Sequence, residues 1–303
     1  MDHAEPLVAG IELGGTKSIA LIARGATIVE HTRLSTTHPA TTLDAIGDVL
    51  ARWHAAEPFE AIGIGCFGPL GLDPARPDFG TITTTPKPGW AGTDVRGYFA
   101  RRFDLPMGFD TDVAGAALAE GCWGAAIGCG VHVYLTIGTG IGGGVVVDGR
   151  PVHGLIHPEI GHIRTRRVAG DPFPGICPYH GDCLEGLAAG PAIAARAGVA
   201  AEEIGPDDPV WEPVAAALSE LMAMLILALS PERILIGGGV GMGQPHLLPM
   251  IRVRTMDILG GYAAITEQAL DDMIRAPGLG ELAGPLGAVA LGNIALSRKG
   301  KGV

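Results

Sequence analysis

Val131–Val147 reads VHVYLTIGTGIGGGVVV. Val131, Val133, Leu135 and Ile137 alternate with other residues as a β-strand requires, and the run stops at Gly138-Thr139-Gly140-Ile141-Gly142-Gly143. A second apolar run, Val145–Val147, follows at once and turns at Asp148-Gly149. The stretch is therefore strand, glycine turn, strand. Such a turn aims backbone N–H groups and one threonine hydroxyl at a single spot, with no side chains to keep a phosphate away. Gly138, Gly140 and Gly143 also fit GxGxxG, but that dinucleotide pattern needs a helix directly after the glycines. Here β-branched Val145-Val146-Val147 comes next, so the dinucleotide reading is rejected. The alternative is a tight hairpin that binds nothing.

A second copy argues against that alternative. Leu7–Leu13 (LVAGIEL) meets Gly14-Gly15-Thr16-Lys17, and the apolar run Ser18–Ala23 comes directly after. The copies lie about 125 residues apart, a spacing too long for a solenoid and suited to a duplicated domain. Two such hairpins could hold one polyphosphate from both sides of a cleft.

The 303-residue chain has length for one large or two medium domains. Its apolar share of 47% and positive mean hydropathy exclude disorder. A formal charge of −11, without any Lys/Arg-rich run, argues against nucleic acid as a partner. No apolar stretch is read as approaching the roughly 20 residues of a membrane span. No basic start followed by an apolar segment marks a secretory signal. The five cysteines are an odd number, which disfavours a disulfide framework and makes a reducing cytoplasm the expected compartment. Glycine, with 48 residues, is about twice its usual share and clusters at strand ends, pointing to binding through backbone.

In chain order, a third strand is expected over Ala26–Arg33 and a helix capped by Thr41-Thr42 and running to about Trp53. Ala61–Gly65 reads as a short buried strand. Within the loop-like residues 71–93, Thr85-Pro86-Lys87-Pro88-Gly89-Trp90 stands out. It is either a surface turn or a rigid arm carrying a cation, Lys87, and a flat apolar face, Trp90, as a sugar site would use. Leu105–Phe109 reads as the end of a strand leading into Asp110-Thr111-Asp112 and a helix, Val113–Trp123. Asp112 either caps that helix or, at a strand's carboxyl end, serves as a general base. Further on, Gly190–Arg196 starts a helix and Glu212–Leu229 forms a long buried one. Arg233–Ile236 is a strand entering Gly237-Gly238-Gly239, where adenine or ribose could lie on bare backbone. Leu286–Ser297 is a final helix that packs back on the first half.

Cys177, His180 and Cys183 have the spacing C-x2-H-x2-C, which suits zinc. The fourth ligand is read as His162, with His157 second and His153 third. The ion is taken as structural, because this loop has little else to fold it.

Together these stretches resemble the ROK family (repressors, ORFs and sugar kinases), and within it the bacterial fructokinases, from Gly10 to Ala290. Glu12-Leu13-Gly14-Gly15-Thr16-Lys17 is similar to the family's first phosphate loop, Gly138–Gly143 to its second, and Gly237–Gly239 to its adenosine segment. Pro158-Glu159-Ile160-Gly161-His162 with Cys177–Glu185 resembles its zinc and sugar motifs. Thr85–Trp90 and Asp110–Asp112 have the form of its fructokinase branch. The resemblance implies a two-domain α/β fold of the actin-like ATPase (ribonuclease H-like) type with an interdomain cleft. The expected lobes are residues 1–112 plus about 286–303, and residues 113–285 with the zinc loop. It implies ATP, Mg2+ and Zn2+, a sugar and a nucleotide as partners without nucleic acid or membrane, a cytoplasmic enzyme, and a homodimer.

It also implies roles. Asp112 is the base; Glu159, His162, Glu185, Lys87 and Trp90 meet the sugar; Gly14, Gly15, Thr16, Lys17, Gly138, Thr139, Gly140, Gly237, Gly238 and Gly239 hold ATP; Glu12 serves magnesium; His162, Cys177, His180 and Cys183 hold the metal. A metal-bound imidazole keeps one N–H, so His162 can serve both zinc and sugar. Glu12 stands where most of the family has Asp. Ala114 stands where Asn is expected, two residues past the base, which bears on substrate preference. The activity implied is ATP-dependent phosphorylation of a hexose, D-fructose to fructose 6-phosphate, with glucose or mannose phosphorylation, or sugar sensing without turnover, as alternatives. The family's repressors carry a DNA-binding helix-turn-helix ahead of the first loop, where nine residues precede Gly10 here, so an enzyme is expected.

Overall fold

The computed structural model describes residues 5–299, which fall into two compact units. The first contains the chain up to Gly124, Arg150–His157, and the chain from Glu281 onward; the second contains Ala125–Gly149 and Pro158–Gly280.

The first unit holds β1 (Leu7–Leu13), β2 (Lys17–Arg24), β3 (Thr27–Ser35), β4 (Ala61–Cys66) and β5 (Met107–Thr111), in the order β3-β2-β1-β4-β5. β2 runs antiparallel to β1 and β3, whereas β4 is parallel to β1 and β5. Every residue of β4 is buried, as expected of a parallel strand covered on both faces. Its helices are α1 (Pro39–Ala56), α2 (Val95–Arg102), α3 (Asp112–Trp123) and, from the chain's end, α10 (Ala283–Lys299). α10 packs against α3, β4, β1 and β5. It can approach closely because its contact face is small: a Cβ added at Gly63 would lie 1.8 Å from the Ala288 carbonyl oxygen. This interlocking keeps all of α3 in the first unit, so the boundary falls after Gly124 and not at Asp112. α1 starts at Pro39, earlier than the threonines suggested. Proline suits the first helical turn, and Thr42 Oγ1 instead accepts the Thr37 N–H at 2.9 Å.

The second unit holds β6 (Val131–Ile137), β7 (Ile141–Val147), β9 (Arg233–Gly237) and β10 (Ile274–Arg275), ordered β10-β9-β6-β7, while β8 (Arg150–Pro151) lies in the Arg150–His157 segment of the first unit. β6 is antiparallel to β7 and parallel to β9, which is parallel to β10. Read from β7 to β10, this order repeats β2-β1-β4-β5 of the first sheet strand for strand. Both glycine turns thus sit between the antiparallel pair at equivalent places, with Leu13 opposite Ser18 and Ile137 opposite Ile141. The helices are α4 (Leu184–Ala188), α5 (Gly190–Ala197), α6 (Trp211–Leu229), α7 (Gly238–Gly243), α8 (Leu247–Leu259) and α9 (Glu267–Met273).

α6 corrects one expectation from the sequence. Its 19 residues and mean hydropathy of 1.7 make it long and apolar enough, by length and composition, to cross a membrane. In the structure Trp211, Val214, Leu218, Leu221, Met222 and Leu225 are buried in the second unit's core, so it serves as a core helix.

Candidate active site

In the first unit the sheet register sets Glu12 beside Gly65, and Gly65 beside Asp110, at the carboxyl ends of β1, β4 and β5. That end of an open α/β sheet is where such folds bind ligands. Asp112 follows as the first residue of α3. The cap of this helix is Thr111, whose Oγ1 accepts the Ala114 N–H at 3.1 Å. The carboxylate of Asp112 accepts the adjacent Val113 N–H at 2.9 Å and is therefore not needed as the cap. Burial raises the Asp112 carboxyl above the usual range. Burial, and then the Asp112 charge, push Glu12 up to about 7, opposed by Lys17 and Arg33. Both carboxyls are thus held above the usual carboxylate range, the property expected of groups that take up a proton.

The first glycine turn is closed by Gly14 N–H donating to the Lys17 carbonyl at 3.1 Å, leaving Gly15, Thr16 and Lys17 exposed. Lys87 Nζ donates to the Thr36 carbonyl at 3.2 Å, and Thr36 N–H donates to the Thr16 carbonyl at 2.9 Å. The lysine is thereby tied to the first glycine turn itself, a link between residues far apart in sequence. Trp90 behaves otherwise than expected. It is fully buried, its Nε1–H donates to the Thr37 carbonyl at 2.8 Å, and it stands edge-on to Phe67. It anchors the Thr85–Trp90 arm and has no free face to offer a sugar.

In the second unit Gly138 N–H donates to the Gly140 carbonyl at 2.9 Å, and Gly190 N–H to the Gly138 carbonyl at 2.8 Å. A Cβ on Gly138 would lie 3.8 Å from the Gly239 nitrogen, so the second and third glycine segments adjoin. Gly237 closes β9 while Gly238 and Gly239 open α7, so the third segment is a helix start and not a loop. Glu185 Oε2 accepts the Ile141 N–H at 2.9 Å and occupies space that any side chain at Gly140 would need. One carboxylate thus braces the threonine turn. Glu159, half-buried, precedes the short turn Ile160–His162.

His162, Cys177, His180 and Cys183 come together, their ligand atoms all within 4.8 Å of one another. Cys177 Sγ lies 3.8 Å from His162 Nδ1 and 3.7 Å from His180 Nδ1, and Cys183 Sγ lies 3.5 Å from His162 Nδ1. A tetrahedral zinc with ordinary bond lengths separates its sulfur and nitrogen ligands by about 3.6 Å, so this set fits zinc. His162 faces the group through Nδ1, which leaves Nε2 outside it. The other two histidines considered for the fourth place are engaged elsewhere, in the first unit. His153 Nε2 lies 3.1 Å from Asp110 Oδ1, which raises its pKa, and His157 Nε2 accepts the Leu70 N–H at 3.0 Å. The loop also has more to hold it than metal. Arg196 pairs through both nitrogens with Asp171 at 2.9 Å, holding that carboxyl down to about 2.

The sequence matches the model of the ROK family over residues 8–294. The chain belongs to the ROK family. Among its relatives, the fructokinase of Zymomonas mobilis is 43% identical over 297 residues, spanning 96% of this chain and 98% of that one. The fructokinase of Pediococcus pentosaceus is 41% identical over 291 residues, spanning 96% and 99%. The ROK hexokinase of Thermus thermophilus superposes with a TM-score of 0.79 at 28% identity, covering 96% of this chain and 99% of its own. The paired mixed sheets with their helices are the α/β actin-like kinase fold of this ROK member.

Proposed function

We propose that this ROK protein transfers the γ-phosphoryl group of ATP to a hexose, with D-fructose as substrate and fructose 6-phosphate as product. The observation that carries the reading is the half-buried carboxyl of Asp112 just past the end of β5, electrostatically coupled to Glu12 and separated by β4 from the strand that enters the first glycine turn. The choice of fructose is supported by relatives named fructokinase at 41 and 43% identity over nearly the whole chain.

A sugar hydroxyl must lose its proton as its bond to the γ-phosphorus forms, and Asp112 takes it. Backbone N–H groups of the turns Gly14–Lys17 and Gly138–Gly140, other than those of Gly14 and Gly138 that close the turns, hold phosphoryl oxygens together with Lys87, and Gly237–Gly239 receives the nucleoside. Magnesium, when bound with ATP, neutralises charge spreading over the phosphoryl oxygens, and Glu12 is the group fitted to hold it through water. Glu159, Glu185 and the Nε2 of His162 bind sugar hydroxyls. Zinc at His162, Cys177, His180 and Cys183 is structural: it fixes the ring of His162.

A hexose panel with ATP, with the product identified by NMR, tests the reading. The expected result is a kcat/KM for fructose at least about tenfold above those for glucose and mannose, a gap of ~1.4 kcal/mol. Preference for glucose or mannose would assign a glucokinase or mannokinase instead. Sugar binding without turnover would make the protein a sensor.

The carboxylate pair sets a pH dependence of opposite sign for activity and stability. Ionised Asp112 is required, and burial holds its carboxyl above the usual carboxylate range, so kcat/KM should fall as pH is lowered and Asp112 gains its proton, while Glu12 gains its own through about 7. Folded Glu12 titrates at about 7, above its ordinary value of 4.5, so its contribution to stability is present below about 4.5 and lost as pH rises through about 7. Thermal melts across pH 4 to 8 should show that loss in the wild type and a smaller one in Glu12→Gln. Identical profiles for the two proteins would refute the assignment.

A further inference from the structure

Three consecutive side chains build the corner between β5 and α3. Thr111 Oγ1 accepts the Ala114 N–H and Asp112 Oδ1 the Val113 N–H, both within the corner itself. Asp110 Oδ1 accepts the Thr111 N–H at 2.7 Å and also meets His153 Nε2 at 3.1 Å. Among the described residues, His153 is the one side chain hydrogen-bonded to the Asp110 carboxylate from outside this segment. Asp110 is only 4% exposed, and a carboxylate buried to that degree is costly unless paired. Asparagine could accept the same backbone bond at less desolvation cost. What the charge adds is a stronger, more directional bond to the imidazole.

His153 belongs to His153-Gly154-Leu155-Ile156-His157, and both histidines at its ends are bound inside the first unit, His157 through the Leu70 N–H. Leu155 between them is 91% exposed, so apolar burial does not hold this loop; the two imidazoles do. The chain then runs directly into Pro158-Glu159, the start of the proposed sugar motif.

We infer that His153 and Asp110 are a positioning pair that fixes the β5–α3 corner, and with it the carboxylate of Asp112, relative to the hydroxyl it deprotonates. This rests on the kinase reading above. A base displaced by about 1 Å loses on the order of a hundredfold in rate, so fixing the corner has kinetic consequences that exceed its effect on stability.

The test compares wild type, His153→Ala, His153→Gln and the Asp110→Asn/His153→Ala double variant, with folded fraction matched by circular dichroism and kcat and KM measured with ATP and fructose. His153→Ala should lower kcat roughly ten- to hundredfold with KM for ATP unchanged within about twofold. His153→Gln, whose amide N–H can reach Asp110, should recover kcat to within about threefold of wild type, and the double variant should be no slower than His153→Ala. If His153→Ala keeps kcat within about twofold, or if the glutamine variant is as slow as the alanine one, the pair does not position the base. A wild type that phosphorylates no hexose defeats the kinase reading itself, and with it the role given to the pair.

Discussion

Asp112→Asn is expected to lower kcat by about a thousandfold, roughly 4 kcal/mol of transition-state stabilisation, while the protein stays folded. The fold should survive because the side-chain amide oxygen can still accept the Val113 N–H, and the helix cap belongs to Thr111. Replacing a carboxyl that burial already makes reluctant to ionise removes a desolvation cost, so Tm should hold or rise. What asparagine cannot do is take a proton. The loss should appear in kcat, with KM for ATP little changed, because the glycine turns that receive the phosphates are untouched. Removal of the Asp112 charge should also let Glu12 ionise at lower pH, since that charge is one of the causes holding Glu12 near 7. A kcat within about tenfold of wild type, worth only ~1.4 kcal/mol, would take the role of base away from Asp112.

What the sequence revealed follows from which forces act locally. The two hairpins were legible because alternation and turn glycines lie within one short window, and both form as read, at Leu7–Arg24 and Val131–Val147. β4 was legible because its burial on both faces demands an unbroken apolar run. α2 was not, since its sequence VRGYFARR is short, carries three arginines and shows no clear stripe; the Asp94 cap on the Gly97 N–H and the packing of Val95 and Phe99 hold it. α7, GGVGMG, contradicts helix propensity outright and forms because β9 delivers it against β6. Within the site, the grouping of Cys177, His180 and Cys183 was readable from spacing. Trp90 was not, because its indole partner, Thr37, lies 53 residues away, and sequence cannot tell a buried indole from a displayed one. The separation of His153 from the cysteine cluster had the same cause: Asp110, its partner, is 43 residues distant.

Cys183→Ser should cost both stability and sugar affinity, in a pattern that tells a structural metal from a catalytic one. Wild-type protein purified without chelator is expected to carry about one equivalent of zinc by elemental analysis, and the variant less than half. Structural zinc sites of this ligand type contribute on the order of 10 kcal/mol of apparent binding energy, so losing a thiolate should lower Tm by many degrees. The second effect runs through His162. With Nδ1 on the metal, the ring is fixed and Nε2 keeps its proton to donate; without metal the ring can rotate and change tautomer. KM for fructose should therefore rise at least about tenfold and KM for ATP by less, because Glu185, which braces the second glycine turn from this loop, is not among the four metal-ligating side chains. Cys122→Ser, at an exposed cysteine away from the cluster, serves as the control and should match wild type in both respects. A metal-free wild type, or a Cys183→Ser protein with unchanged Tm and sugar KM, would remove the metal from both fold and site. Loss of kcat alone, at constant Tm, would instead require the ion to act on the reacting atoms.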